Sequence, residues 1–310
     1  MAFFLLLPLG VLVWCASYFG KDGVPMPVCI TASCRFDVYA LLFDDTTKDW
    51  RFILMENYTI WFLLYSAVWV VLYGITVSRD YFGSFKLNRD VYPPAALVAR
   101  EFMRSARGIF VGSIYEIAVH RLFMDGLFPS VHVPAWLTLP AGAIPALPAL
   151  LAVSTLLLIW GDTHFYWTHR LLHTRILYRT VHKMHHESYN PDPWSGLSMH
   201  PVEHLIYFSA APLIAWCCPL WVVRLSFKAL IVAPLEGHWG FGSWSVQSTH
   251  HHYVHHSKFN WNYGASPVWD VICGTVYTSD TSRANLRSRE AEEQARLVGV
   301  DMKKDPKVKR

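Results

Sequence analysis

Between Asp162 and His186 the chain reads DTHFYWTHRLLHTRILYRTVHKMHH, six histidines in twenty-five residues. No other feature constrains the fold as strongly, because imidazoles at helical spacing either meet a common partner or remain an unexplained polar stripe. If the first half is helical, His169 and His173 lie one turn apart on one face, and Asp162 and Tyr166 extend that stripe. His182, His185 and His186 repeat the arrangement at i, i+3 and i+4, predicting a second face that closes with the first around a metal. A third group, His252, His255 and His256, has the same H-x-x-H-H spacing, and His200 in SMHPVEH and His238 in EGHWG join by position.

About ten imidazoles exceed what one first-row ion accepts, so two metal ions are the natural count; imidazole suits iron, zinc, copper and nickel alike and does not choose the element. No C-x-x-C pair stands among the six cysteines, which argues against a thiolate zinc site. Cys29 and Cys34 fit a disulfide if their segment faces an oxidising lumen, with free thiols as the default. Cys217-Cys218 reads as apolar filling of a membrane helix.

The chain is 53% hydrophobic and 16% charged, against about a quarter charged in ordinary soluble domains, and its 14 Trp and 15 Tyr suit a headgroup level. A formal charge of +4 without a single basic face excludes nucleic acid as a partner. Residues 1–20 are apolar without a basic leader, which leaves a cleaved signal and a retained anchor open; the anchor is the favoured reading. Asn57-Tyr58-Thr59 is a glycosylation sequon that abuts the next hydrophobic run.

Tyr58 to Val77 is long enough to cross a hydrocarbon core of about 30 Å. Arg79, Lys86, Arg89, Arg100, Arg104 and Arg107 follow in what reads as a short cytosolic loop. Gly108 to Phe128 and Val133 to Trp160 form a hairpin out and back, so the histidines emerge in the cytosol. His204 to Leu235, interrupted at Cys217-Cys218-Pro219, gives two short or tilted helices. The expected class is all-α and polytopic, about four transmembrane helices under a cytosolic histidine-rich cap. Its expected divisions are an N-terminal segment 1–57, a membrane-embedded unit 58–280 and a charged tail 281–310. His120 and His132 read as lone turn residues, and Trp167, Trp194, Trp239 and Trp244 as packing.

Asp162, Tyr166-Trp167, His169-Arg170-x-x-His173, His182-x-x-His185-His186, His200-Pro201-x-Glu203, His238, His252-x-x-His255-His256, Asn262-Tyr263-Gly264, Trp269-Asp270 and Gly274-Thr275 occur in this order. In these residues the chain resembles the membrane fatty acid hydroxylase and sterol desaturase superfamily, over roughly 150–277. The resemblance implies a four-helix membrane base with a di-iron centre, dioxygen as co-substrate and residence in the endoplasmic reticulum membrane with the metal facing the cytosol. It carries over His169, His173, His182, His185, His186, His200, His238, His252, His255 and His256 as ligands. Asp162, Tyr166 and Glu203 are the candidate catalytic side chains. His164 points off the ligand face, His204 lies one turn past His200, and His250 and His251 read as capping or supporting residues.

Asp162, Glu187, Glu203 and Asp270 are candidates to hold imidazole N–H groups and fix their tautomer. The chain has no H-P-G-G haem motif, so electrons come from outside; the resemblance implies cytochrome b5 and its NADH reductase, and a lipid entering from the bilayer. The stretch HHESYNPDPWSGLSMHPVEH resembles the sterol-desaturase side, which favours sterol desaturation or sterol methyl oxidation over fatty acyl or sphingolipid hydroxylation. A histidine-rich metal transporter is the rival of another class; the apolar spans carry no acidic or histidine ladder for an ion path.

Overall fold

Asp49 begins the first helix: its carboxylate accepts the Phe52 N–H at 2.9 Å, and α1 (Trp50–Trp69) follows, closing in a π turn over Val70–Gly74. The computed structural model describes residues 28–29, 35–36, 49–74, 86–87, 92–128, 143–189, 191–242 and 246–277. The remaining elements are α2 (Ala95–Met124), α3 (Ala143–Leu172), α4 (Arg175–Thr180), α5 (Pro201–Phe208), α6 (Ala210–Leu213), α7 (Leu220–His238), α8 (Val246–Lys258) and α9 (Val268–Cys273). Two 3-10 turns, His182–Glu187 and Pro193–Leu197, interrupt the helices. A two-residue antiparallel pair, β1 (Val28–Cys29) with β2 (Arg35–Phe36), stands apart from an otherwise helical fold.

Among the described residues one helix, Trp50–Gly74, is long and apolar enough to cross a membrane. It starts eight residues before the predicted span because the cap lies upstream of the apolar run. Ile53, Asn57, Trp61 and Tyr65 form its buried stripe at four-residue spacing. The other predicted crossings fall on α2, α3 and α5 to α7, while Val133 to Gly142 lies outside the described residues, as do residues 1–20, Cys34, His132, Trp244 and the tail. The chain does turn at Cys217-Cys218-Pro219, with Pro219 capping α7.

Two predicted features are corrected. Arg100, Arg104 and Arg107 belong to no loop, because α2 opens directly after Pro93-Pro94 and carries all three. The apolar spans also conceal a charged network. Glu116 of α2 accepts from Asn57 of α1 at 2.8 Å, from Lys228 of α7 at 2.8 Å and from Arg224 at 3.0 Å, while Arg224 also reaches Glu56 at 2.6 Å. Asn57 is buried in this network, so its sequon is closed to a glycan.

Small residues on α2 bring α5 close. The His204 ring sits over Gly108 and the Phe208 ring over Gly112, where an added Cβ would lie 2.0 Å and 2.8 Å from ring atoms. Trp61, Phe102 and Trp194 form an aromatic cluster that ties α1 and α2 to the second 3-10 turn, with Phe102 and Trp194 centroids 4.9 Å apart. That cluster fixes the loop which follows the second histidine motif.

Candidate metal centre

α3 runs unbroken from its apolar half into the first histidine motif, so His169 projects from a rigid helix and His173 follows one turn on, its N–H bonded to the His169 carbonyl. The second motif forms a 3-10 turn and the third lies on α8. His238 is the last residue of α7. These four pieces bring nine histidines into two groups, His169, His173, His182, His186 and His255 in one and His185, His238, His252 and His256 in the other.

The two H-x-x-H-H motifs are shared between the groups reciprocally. His182 and His186 enter the first group and His185 the second; His252 and His256 enter the second and His255 the first. Each motif therefore presents its i, i+4 pair to one site and its i+3 residue to the other, where a single shared side had been expected. One motif alone cannot complete either group, which couples the 3-10 turn to α8.

Tautomers follow from the fixed acceptors behind the rings. Nδ1 of His169 donates to the Tyr263 carbonyl at 2.6 Å, His182 to Glu203 Oε1 at 2.7 Å, His238 to the Pro234 carbonyl at 2.8 Å and His255 to the Trp261 carbonyl at 2.7 Å. With Nδ1 protonated, a neutral ring presents a lone pair at Nε2. Yet Nε2 of His169 and His182 approach to 3.1 Å, as do those of His255 and His186, and of His238 and His252. Between His169 and His182 no proton is left to share. Metal–nitrogen bonds of about 2.0–2.1 Å would set two neighbouring ligand nitrogens on one ion about 3 Å apart. The donor set fits a pair of cations, and nothing else among the described residues answers the converging lone pairs.

Burial keeps the rings neutral: it pushes His169 and His238 down to about 4, and His173, His182, His185, His186, His252, His255 and His256 well below the usual imidazole range, the neighbouring rings adding to the effect in these seven.

The other predicted residues have different places. His200 joins neither group, because it caps α5 ahead of Pro201 and its Nδ1 accepts the Val202 N–H at 3.2 Å. Glu203 is buried behind His182 as anticipated. Asp162 binds no imidazole; it accepts from the Ser266 N–H at 2.9 Å and hydroxyl at 2.7 Å. Tyr166 is buried against Trp269, its hydroxyl 3.1 Å from Thr275 Oγ1 and accepting from Arg170 at 3.0 Å. Tyr166 and His169 differ by about 60° around the helix, so the tyrosine faces α9 while the histidine faces the site.

Glu187 pairs with Arg104 at 2.7 Å, again not with an imidazole. Asp270 holds His251 at 3.0 Å and gathers the Tyr263 and Gly264 N–H groups at 2.9 and 2.8 Å. Burial alone would raise this carboxyl, but the four donors from His251, Thr275, Gly264 and Tyr263 outweigh it and hold it below the usual range. Through Tyr263 it steadies the carbonyl behind His169. His164 meets Ser209 and His204 meets the Leu197 carbonyl, while His250 is exposed. The carbonyls of Pro234, Trp261 and Tyr263 were not foreseen, since a backbone acceptor leaves no residue-type signature. Phe259 and Asn262, at φ 62° and 56°, are the turns that aim the last two.

The fatty acid hydroxylase family model matches residues 154–275, a stretch that contains all nine converging histidines. In this stretch the chain is similar to the fatty acid hydroxylase family. The chain is 32% identical over 130 residues to the Delta(7)-sterol 5(6)-desaturase ERG3B of Gibberella zeae, covering 38% of this chain and 40% of that protein. It is 30% identical over 152 residues to the methylsterol monooxygenase erg25B of Aspergillus fumigatus, 42% and 49% of the two chains. A Delta(7)-sterol 5(6)-desaturase of Candida glabrata aligns at 26% identity over 84% of this chain and 75% of its own. The alignment with the Gibberella zeae protein spans less than half of that relative's length. No solved structure matches. Within the family stretch α3, the 3-10 turn, α5, α7 and α8 all contribute to the centre, whereas α1 and α2 lie outside it.

Proposed function

We propose that the chain is a membrane-bound, dioxygen-dependent di-iron oxidoreductase acting on a bilayer lipid, of the sterol desaturase or sterol methyl oxidase type. Two groups of neutral imidazoles with converging Nε2 atoms, inside a fatty acid hydroxylase stretch, are the observation that carries the reading. The printed activities of the sterol desaturase and methylsterol monooxygenase relatives favour a sterol over an acyl chain.

His169, His173, His182, His186 and His255 would hold one ion and His185, His238, His252 and His256 the other. Bound there in reduced form, two iron ions would supply the electrons for splitting dioxygen that attack on an unactivated C–H bond requires. The chain's own part is to fix the donors. Glu203 and the carbonyls of Tyr263, Pro234 and Trp261 hold four rings with Nε2 directed inward, and the buried surroundings keep water and stray protons from the site. Asp162 and Tyr166 support this by tying α3 to the segment around α9, positioning groups in place of the catalytic role first assigned to them.

Residues 58–280 are read as the membrane-embedded unit, with four crossings on α1, α2, α3 and α5 to α7, the centre at the cytosolic face of the endoplasmic reticulum, and residues 1–57 and 281–310 flanking it. Electrons are assigned to an external donor, cytochrome b5 with its NADH reductase. The transporter reading is disfavoured by the network of Glu56, Glu116, Arg224 and Lys228, two acids and two cations bonded to one another, which closes the space between α1, α2 and α7.

Purified protein is expected to carry two iron ions, and His185→Ala to abolish lipid oxidation while membrane insertion persists. Lipid profiling of cells lacking the protein identifies the substrate: an accumulating sterol supports the assignment, an accumulating unhydroxylated acyl lipid replaces it, and full activity of His185→Ala removes it.

A further inference from the structure

Outside the histidine groups lies a second set of buried titratable side chains that the proposed chemistry does not use. Glu101 of α2 is 1% exposed and Asp192, in the loop after the second histidine motif, is fully buried. The two carboxyls are neighbours and act on one another. Neither has a lysine or arginine in ion-pair contact among the described residues. The Ser188 hydroxyl donates to Glu101 Oε1, and the Trp194 N–H donates to Asp192 Oδ1 at 2.7 Å. Asp192 Oδ2 is buried without a hydrogen-bond partner.

Two ionised carboxylates cannot remain in contact in a water-poor interior. A single proton resolves both the repulsion and the orphaned oxygen. Carried by Glu101, it is donated to Asp192 and leaves the other Glu101 oxygen to accept from Ser188. The result is a directed chain, Ser188 to Glu101 to Asp192, with Trp194 N–H donating from the far side. Ser188 caps the 3-10 turn that bears His182, His185 and His186, and the Trp194 carbonyl is itself held by Ser105 of α2 at 2.5 Å. The chain of bonds therefore joins the ligand-bearing turn to α2 at both ends of its loop.

We propose that Glu101 and Asp192 share one proton and that this acid pair is the positioning device that seats the His182–His186 segment on α2 for metal binding. The proposal rests on the reading of the histidines as a metal centre. Burial first, and then the neighbouring Asp192, raise Glu101 to about 8, and burial raises Asp192 to about 6. Among the described residues, few groups face the pair. Tyr73, in the π turn after α1, faces both acids, its hydroxyl donating to the Trp239 carbonyl at 2.7 Å; Tyr92 packs on Tyr73, with Lys86 over the Tyr92 ring at 5.0 Å. Arg100 and Arg104 beside Glu101 are engaged with Glu187.

The sign follows from proton linkage. The folded chain holds a proton that the unfolded chain has released by about pH 5, so the stabilisation is complete at low pH and is lost as pH rises through about 8. Between pH 6 and 8 the pair should raise the unfolding constant about tenfold per pH unit.

The test compares wild type, Glu101→Gln and Asp192→Asn in detergent, reading thermal unfolding and bound iron from pH 6 to 9. A glutamine keeps an N–H donor for Asp192 and a carbonyl for Ser188, so Glu101→Gln should match wild type at pH 6, lose the pH-dependent component and retain iron at pH 9 where wild type sheds it. Asp192→Asn removes one of the two charges and should flatten the profile independently. Variant profiles that parallel wild type, or a Glu101→Gln protein that loses iron already at pH 6, overturn the proposal. A wild type that binds no iron yet shows the slope, abolished by the substitutions, overturns the metal reading and leaves the acid pair standing.

Discussion

Glu203 and His200 lie three residues apart in one H-P-x-E motif, yet they have unequal parts in the centre. Glu203 accepts from His182 Nδ1 inside the protein, so Glu203→Ala leaves a buried N–H without a partner and frees the ring to turn. Loss of such a supporting carboxylate should weaken metal binding about 10- to 100-fold at the group that contains His182. His200→Ala removes only a helix cap, costing on the order of 1 kcal/mol, and should leave two ions bound. Metal titration of the two variants separates the roles; a lost ion in His200→Ala would restore it as a ligand. Nine of the ten histidines proposed as ligands converge in the structure, and imidazole spacing is the residue-type signal that made their meeting legible. His200 misled because H-P is equally a helix-start pattern, with the ring turned back to its own N–H.

Helix packing beneath the centre depends on Gly108 and Gly112, which let α5 approach α2 closely enough for His204 to reach the Leu197 carbonyl at 3.0 Å. Gly108→Ala would place a methyl inside the His204 ring volume, and overpacking of this kind costs about 1–3 kcal/mol. It should lower the melting temperature in detergent and loosen Glu203, the neighbour of His204, whereas an unchanged melting temperature with full metal content would contradict the packing described. A glycine in a helical run does not reveal which ring rests on it, so this contact was invisible beforehand. Periodicity did reveal α1 and the turn at Pro219. It misplaced the start of α2, because basic residues on a helix and in a loop have the same composition, and it hid Glu116, Arg224 and Lys228, whose pairing joins positions more than a hundred residues apart.

At the scale of the whole molecule, nine neutral imidazoles and one shared acid proton pull stability in opposite directions with pH. The histidines have lowered values in the folded chain, so the unfolded chain binds more protons below about pH 6.5; their contribution is present above that value and is lost as pH falls, through about 4 for His169 and His238. Each of those two corresponds to about 3 kcal/mol of linked stability, and the other seven act in the same direction. Iron competes with the same protons, so loaded protein should withstand lower pH than stripped protein, and unfolding of the stripped form should take up several protons together. Glu101 limits the opposite side near pH 8. Stability should therefore peak near pH 6.5, decline gently from there to about pH 8 as the acid pair loses its proton, and fall steeply on the acid side, where chelation acts through the histidines. Unfolding midpoints recorded across pH with and without chelator test this: coincident acid limbs, or an acid limb with uptake of a single proton, would mean that the histidines are not held neutral as a group.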